Sequence, residues 1–89
     1  MVQQAAHEPL SDETVSEILD GAKENLEYLQ AHASLIRLHH KEDKTETDRR
    51  EIDYAWVVIM NYFTRTLIAN GHPYSNLRQL RDAVHKMIN

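Results

Sequence analysis

The 89-residue chain has no cysteine, two glycines, two prolines, one tryptophan and one phenylalanine. Each scarcity excludes something. Without cysteine there are no disulfides, no thiolate nucleophile and no cysteine-based metal site, a usage that fits a cytoplasmic protein. With Gly21 and Gly71 as the only glycines there is no glycine-rich cradle for a phosphate. Few glycines and prolines also favour long uninterrupted elements. Long hydrophobic runs are missing too. The most apolar stretch, residues 54–60, is far shorter than the ~18 residues that mark a membrane-spanning helix. Residues 1–10 lack the basic and apolar regions of a signal peptide.

What is present is heptad patterning. Val15, Leu19, Ala22, Leu26, Leu29, Ala33 and Ile36 recur at alternating steps of four and three residues. Ile52, Trp56, Ile59, Phe63 and Thr66 form a second run. Such spacing specifies helices packed side by side with coiled-coil-like geometry. The chain therefore reads as all-α: a long antiparallel helical hairpin, helices 12–40 and 48–70, and a short third helix, 75–88. Residues 1–10 read as a disordered tail and residues 11–89 as one domain. Asn70-Gly71 followed by Pro73 is a helix stop. Ser11 or Thr14 is expected to cap the first helix, Asp48 with Glu51 to open the second, and Ser75 to open the third.

Antiparallel helices joined by a short loop pair residues whose numbers sum to a constant. A loop centred near Lys44 predicts Leu29 against Ile59, Leu26 against Phe63 and Ala33 against Trp56. In that register Ala33→Leu would clash with the indole. Leu35, Ile36 and Leu38 make the first helix apolar on more than one side, so this region is expected to touch something beyond the hairpin. A chain this size buries only about 60–65% of its unfolded surface, and oligomerisation is the usual way to thicken so thin a core. These readings predict a dimeric helical bundle whose contact comprises Leu35, Leu38, Val57, Val58 and Met60.

Charge is unevenly placed. The formal net charge is −4, but residues 1–46 hold ten acids against four bases and residues 47–89 hold four acids against six bases. Acids at a helix start suit the macrodipole with no further role. Equally, Asp12, Glu13, Glu17, Asp20, Glu24 and Glu27 form a face that could dock on a basic surface of another protein, with charge complementarity giving on-rate and selectivity.

Chemistry-bearing constellations are sparse. Six histidines are present, yet none has the i, i+4 spacing that lets two ligands on a helix reach one ion. His39 and His40 point about 100° apart, and His32 and His39 are two turns apart. His40 continues the heptad after Ala33 and could sit at the mouth of the core. No serine or threonine is set beside a base as an activated nucleophile requires. No metal, cofactor or catalytic residue is therefore assigned, and the chain reads as a non-enzymatic interaction module, a small regulator or inhibitor acting by protein contact. The alternative is a DNA-binding regulator. Asn70 to Ser75 is a short inter-helix turn, and the helix after it begins with Asn76, Arg78, Gln79 and Arg81, types that reach bases or phosphates. That is the outline of a helix-turn-helix with residues 75–86 as reader, and from Arg65 onward four bases face one acid.

Overall fold

The computed structural model describes residues 9–72 and 74–89, the side chain of Tyr74 aside. Most of the expected tail, His7 and Pro73 lie outside the described residues. Among those described there are four α-helices and no strand: α1 (Asp12–Ala22), α2 (Leu26–His39), α3 (Glu46–Ala69) and α4 (Leu77–Ile88), with a single 3-10 turn at Tyr74–Asn76 before α4. None is long and apolar enough to cross a membrane.

The first long helix expected from the sequence is two helices. The chain leaves α1 through Lys23, whose N–H donates back to Asp20 O and Gly21 O. Asn25 then takes an extended conformation (φ −99°, ψ 116°) and its Oδ1 accepts the Tyr28 N–H at 2.9 Å, a new N-cap. This break re-phases everything after it. The buried face of α2 is Tyr28, Ala31, Leu35 and Leu38. The heptad stripe Leu26, Leu29, Ala33 and Ile36, expected to seal the hairpin, is instead exposed. Each buried residue lies two positions beyond a stripe residue, which on a 100°-per-residue helix is a rotation of about 200°. The expected pairs Leu29–Ile59, Leu26–Phe63 and Ala33–Trp56 therefore do not form.

The pairs that do form run antiparallel. Tyr28 meets Tyr62 and Phe63 with ring centroids at 5.5 and 5.6 Å. Arg37 donates to Glu51, and Lys41 Nζ donates to Asp48 Oδ2 at 2.6 Å. On α3 the residues Ala55, Ile59, Phe63 and Leu67 are buried at steps of four, a ridge that seats against both α2 and α4. Leu80, Val84 and Ile88 of α4 close the core at the same step. The centre of the molecule is Phe63, Leu38, Ile59, Leu67, Leu80 and Val84.

Local chemistry fixes the ends. Ser11 caps α1 by accepting the Thr14 N–H at 3.1 Å. The capping box of α3 lies three residues earlier than expected: Thr45 Oγ1 accepts from Asp48 N, and Asp48 Oδ2 accepts from Thr45 N. The Lys41 ammonium and the Thr45 N–H together pull the Asp48 carboxyl down to about 2. Lys44 Nζ donates to His39 O and Lys41 O at 3.1 and 2.8 Å, covering carbonyls left open where α2 ends. After α3, Gly71 takes φ +73°. Its N–H reaches Ile68 O and the His72 N–H reaches Leu67 O at 2.9 Å, a Schellman stop. Asn76, not Ser75, holds the N-cap position of α4. Leu10 is no tail residue: it is buried, and the Gln79 amide clamps its backbone in both directions, accepting at 2.7 Å and donating at 2.9 Å.

The break makes two opposite predictions. Gly21 has an ordinary helical backbone, and a Cβ there would rest 3.7 Å from Tyr62 Oη, normal contact distance. Gly21→Ala should raise stability by up to about 0.5 kcal/mol in a thermal or urea melt, since Gly21 lies in the last turn of α1 and carries only part of the cost of a helix-interior glycine. Asn25→Ala removes the cap that sets the phase of α2 and should lower stability by about 1 kcal/mol. Unchanged melts for both would show that the break is not anchored there.

Candidate interaction surface

The re-phasing leaves α2 apolar on two opposite sides. Leu26 is 69% exposed, Leu29 42% and Ile36 54%, with Ala33 exposed between them. Met87, on α4, is 50% exposed. Leu29, Ala33, Ile36, Leu19 and Met87 line an apolar groove of about 300 Å³ whose remaining walls are Lys23, Tyr28 and His32. Together Leu26, Leu29, Ile36 and Met87 leave the equivalent of about two side chains in water. Covering them would contribute roughly 3–6 kcal/mol per chain at about 1.5–3 kcal/mol per fully buried side chain. Other exposed apolar residues, Tyr54, Val57 and Ile68, lie on α3, and scattered cases of this kind are ordinary.

The electrostatics of the groove are mild. Lys23 Nζ lies 3.5 Å from Asp20 Oδ1, so its charge is locally matched. His32 packs edge-on to Tyr28 with ring centroids 5.7 Å apart, and burial lowers its pKa. Behind it, burial first and then Tyr62 push the Tyr28 hydroxyl up to about 12. On the opposite flank the Ser34 hydroxyl and Arg37 hold the Glu51 carboxyl below its ordinary value. No charged side chain lies in the stripe itself.

The five residues expected at a dimer contact do not share a surface. Leu35 and Leu38 are 3% and 1% exposed. They belong to the chain's own core because the break turned them inward. Val58 lies half-buried in the seam between α2 and α3, beside Ala31 and Ala55. Only Val57 and the half-buried Met60 reach the outer face of α3, beside Trp56 and Arg81. The residues the sequence reading missed are Leu26, Leu29, Ala33 and Ile36. The heptad stripe makes them visible in the sequence, but it places them in the interior only if α1 and α2 are one continuous helix.

The six acids are all exposed, and among the described residues only Asp20 has a cation partner. They span a bend: Asp12, Glu13, Glu17 and Asp20 are on α1, Glu24 is in the turn, and Glu27 opens α2. The four nucleic-acid candidates fare differently. Asn76 is buried, both amide atoms of Gln79 hold Leu10, and Arg81 sits 5.7 Å from the centre of the Trp56 ring. Arg78 alone is exposed without such an engagement among the described residues. The opening turn of α4, which would have to read base edges, is thus largely committed to internal contacts. His85 also stacks on Trp56 with centroids 4.6 Å apart, and His40 Nε2 lies 3.3 Å from Ile88 O. No three histidine, aspartate or glutamate side chains converge on a point among the described residues. Comparison with protein-family models, curated proteins and solved structures gives no match to the chain.

The lowered pKa of His32 carries a sign. The unfolded chain takes up this proton first on acidification, so the stability associated with neutral His32 is whole above pH 6.5 and is lost as pH falls through that value. An NMR titration of the His32 ring should give a midpoint below 6.5. A midpoint at or above it contradicts the buried placement.

Proposed function

We propose that this chain is a non-enzymatic, cytoplasmic interaction module that assembles as a homodimer and acts as a small regulator or inhibitor by binding another protein. The observation that carries the reading is the uncovered apolar stripe on α2, directly opposite the face that α2 buries. A helix apolar on both sides is one that a second surface covers, and an exposed a/d seam is the ordinary receiver for another helix. The acidic face is the surface proposed for the target. Five of its six carboxylates have no cation partner among the described residues, so they are available to a basic surface, where complementarity steers encounter.

The DNA-binding alternative rests on the basic C-terminal segment, and the engagement of Asn76, Gln79 and Arg81 counts against it. A tagged chain used for capture from its host, with protein and nucleic acid both identified, separates the two. The expected result is one stoichiometric protein that survives nuclease treatment and is lost when Glu17, Asp20 and Glu24 are changed to Lys. Recovery of DNA, abolished by Arg78→Ala with Arg81→Ala and falling steeply with salt, would replace this reading with the alternative.

A further inference from the structure

We infer that the occupant of the α2 stripe is a second copy of this chain, laid antiparallel so that α2 packs on α2 of the partner about a two-fold axis level with residue 31. This rests on the interaction-module reading and names the surface and geometry of its dimer. The stripe Leu26, Leu29, Ala33, Ile36 has steps of three, four and three, and that series reads the same backwards. An antiparallel copy therefore meets it layer on layer, Leu26 against Ile36 and Leu29 against Ala33 of the other chain. An isologous contact demands this self-complementarity. The middle layers set a large side chain over a small one, which allows close helix approach.

Charge is compatible with a second copy, and area sets how tightly it is held. The side chains facing across the axis beside the stripe are Gln30 on one flank and His32 on the other. Neither carries a full charge at neutral pH, since His32 is shifted toward its neutral form. Lys23, at the groove edge, brings Asp20 with it, and Arg37, on the other edge, brings Glu51. In this register Gln30 and His32 meet their own copies, while Lys23 comes opposite residue 39 and Arg37 opposite residue 25, so neither ion-paired base is set against itself. The face is two helices wide, each about 10–12 Å across, and a 14-residue α2 is about 21 Å long. That footprint, about 420–500 Å², falls below the roughly 600–1,000 Å² per partner of stable dimers and belongs to the weak class of association. The dimer should accordingly be concentration-dependent. It touches α1 at Leu19 and the turn after it at Lys23, and leaves Asp12, Glu13 and Glu17 of each copy outside the contact.

Light scattering of the full chain, eluted from a sizing column over a range of loading concentrations, tests the stripe. The expected mass is twice the 10.4 kDa of one chain at high concentration. Leu29→Glu, at a position outside the core, should give the single-chain mass across the same range with unchanged helical circular dichroism. Because the chain has no cysteine, single cysteines report the geometry under mild oxidation. Gln30→Cys should cross-link two copies, whereas Ile36→Cys should not. A single-chain mass for the wild type at every concentration overturns the inference and the dimer with it. A dimer that survives Leu29→Glu overturns the surface and leaves the dimer standing. Cross-linking through Ile36→Cys overturns the antiparallel order alone. In each of these cases the capture experiment still decides the interaction reading independently.

Discussion

Everything distinctive in this molecule follows from one small event, the capture of the Tyr28 N–H by Asn25. That bond ends one helix and starts another, and so decides which way α2 is rotated when it reaches α3. With Tyr28 turned inward its ring meets Tyr62 and Phe63, and Leu35 and Leu38 follow into the core at helical spacing. Had α1 run on unbroken, the 4–3 pattern from Val15 onward would have continued around the same side. The large ring then decides between two stripes of similar apolar content. Its contacts with Tyr62 and Phe63 add about 0.5–1.5 kcal/mol per aromatic pair beyond the area buried.

Once α2 is set, the rest is tied to it by polar contacts at its ends and flanks. Arg37 to Glu51 and Lys41 to Asp48 hold the closed end, and Lys44 covers the last carbonyls of α2. These pairs are exposed and contribute little individually. Their effect is on register, since each is satisfied at one sliding position only. The open end is fastened differently. Gln79 grips the backbone of Leu10 and so joins the segment before α1 to α4, two stretches 69 positions apart. The tertiary structure is therefore laced at both ends around an apolar middle.

Much of this was legible in the sequence, and the failures have specific physical causes. The all-α class, the charged loop and the stop at Asn70-Gly71 followed from periodicity and turn chemistry. The break at residues 23–25 did not, because a capping asparagine inside a continuous heptad run looks like one more polar position. Its only warning was Gly21, four residues before it. Reading one helix for two then misassigned every facing pair, since a two-residue slip of phase turns a side chain to the far side. Leu35 and Leu38 exceed what one stripe can hold, but which stripe is surplus depends on the rotation. The clamp on Leu10 had no signal in the sequence at all: a glutamine amide bonding to a distant backbone leaves no periodicity.

The same phase argument bears on why the surplus stripe exists. A surface position free of partners drifts toward polar residues, because exposed leucine and isoleucine add nothing to the fold and favour nonspecific association. Here four successive a/d positions on one exposed face are Leu, Leu, Ala and Ile, while the positions between them on the outer side, Gln30 and Arg37, are polar. The apolar residues therefore follow the heptad seam and do not scatter over the exposed surface. A seam that keeps its register over three turns, on a helix whose other face already fills the core, is the pattern the proposed second helix would cover. On that proposal stability and binding draw on two halves of one helix, and Asn25, which sets the phase of α2, governs both.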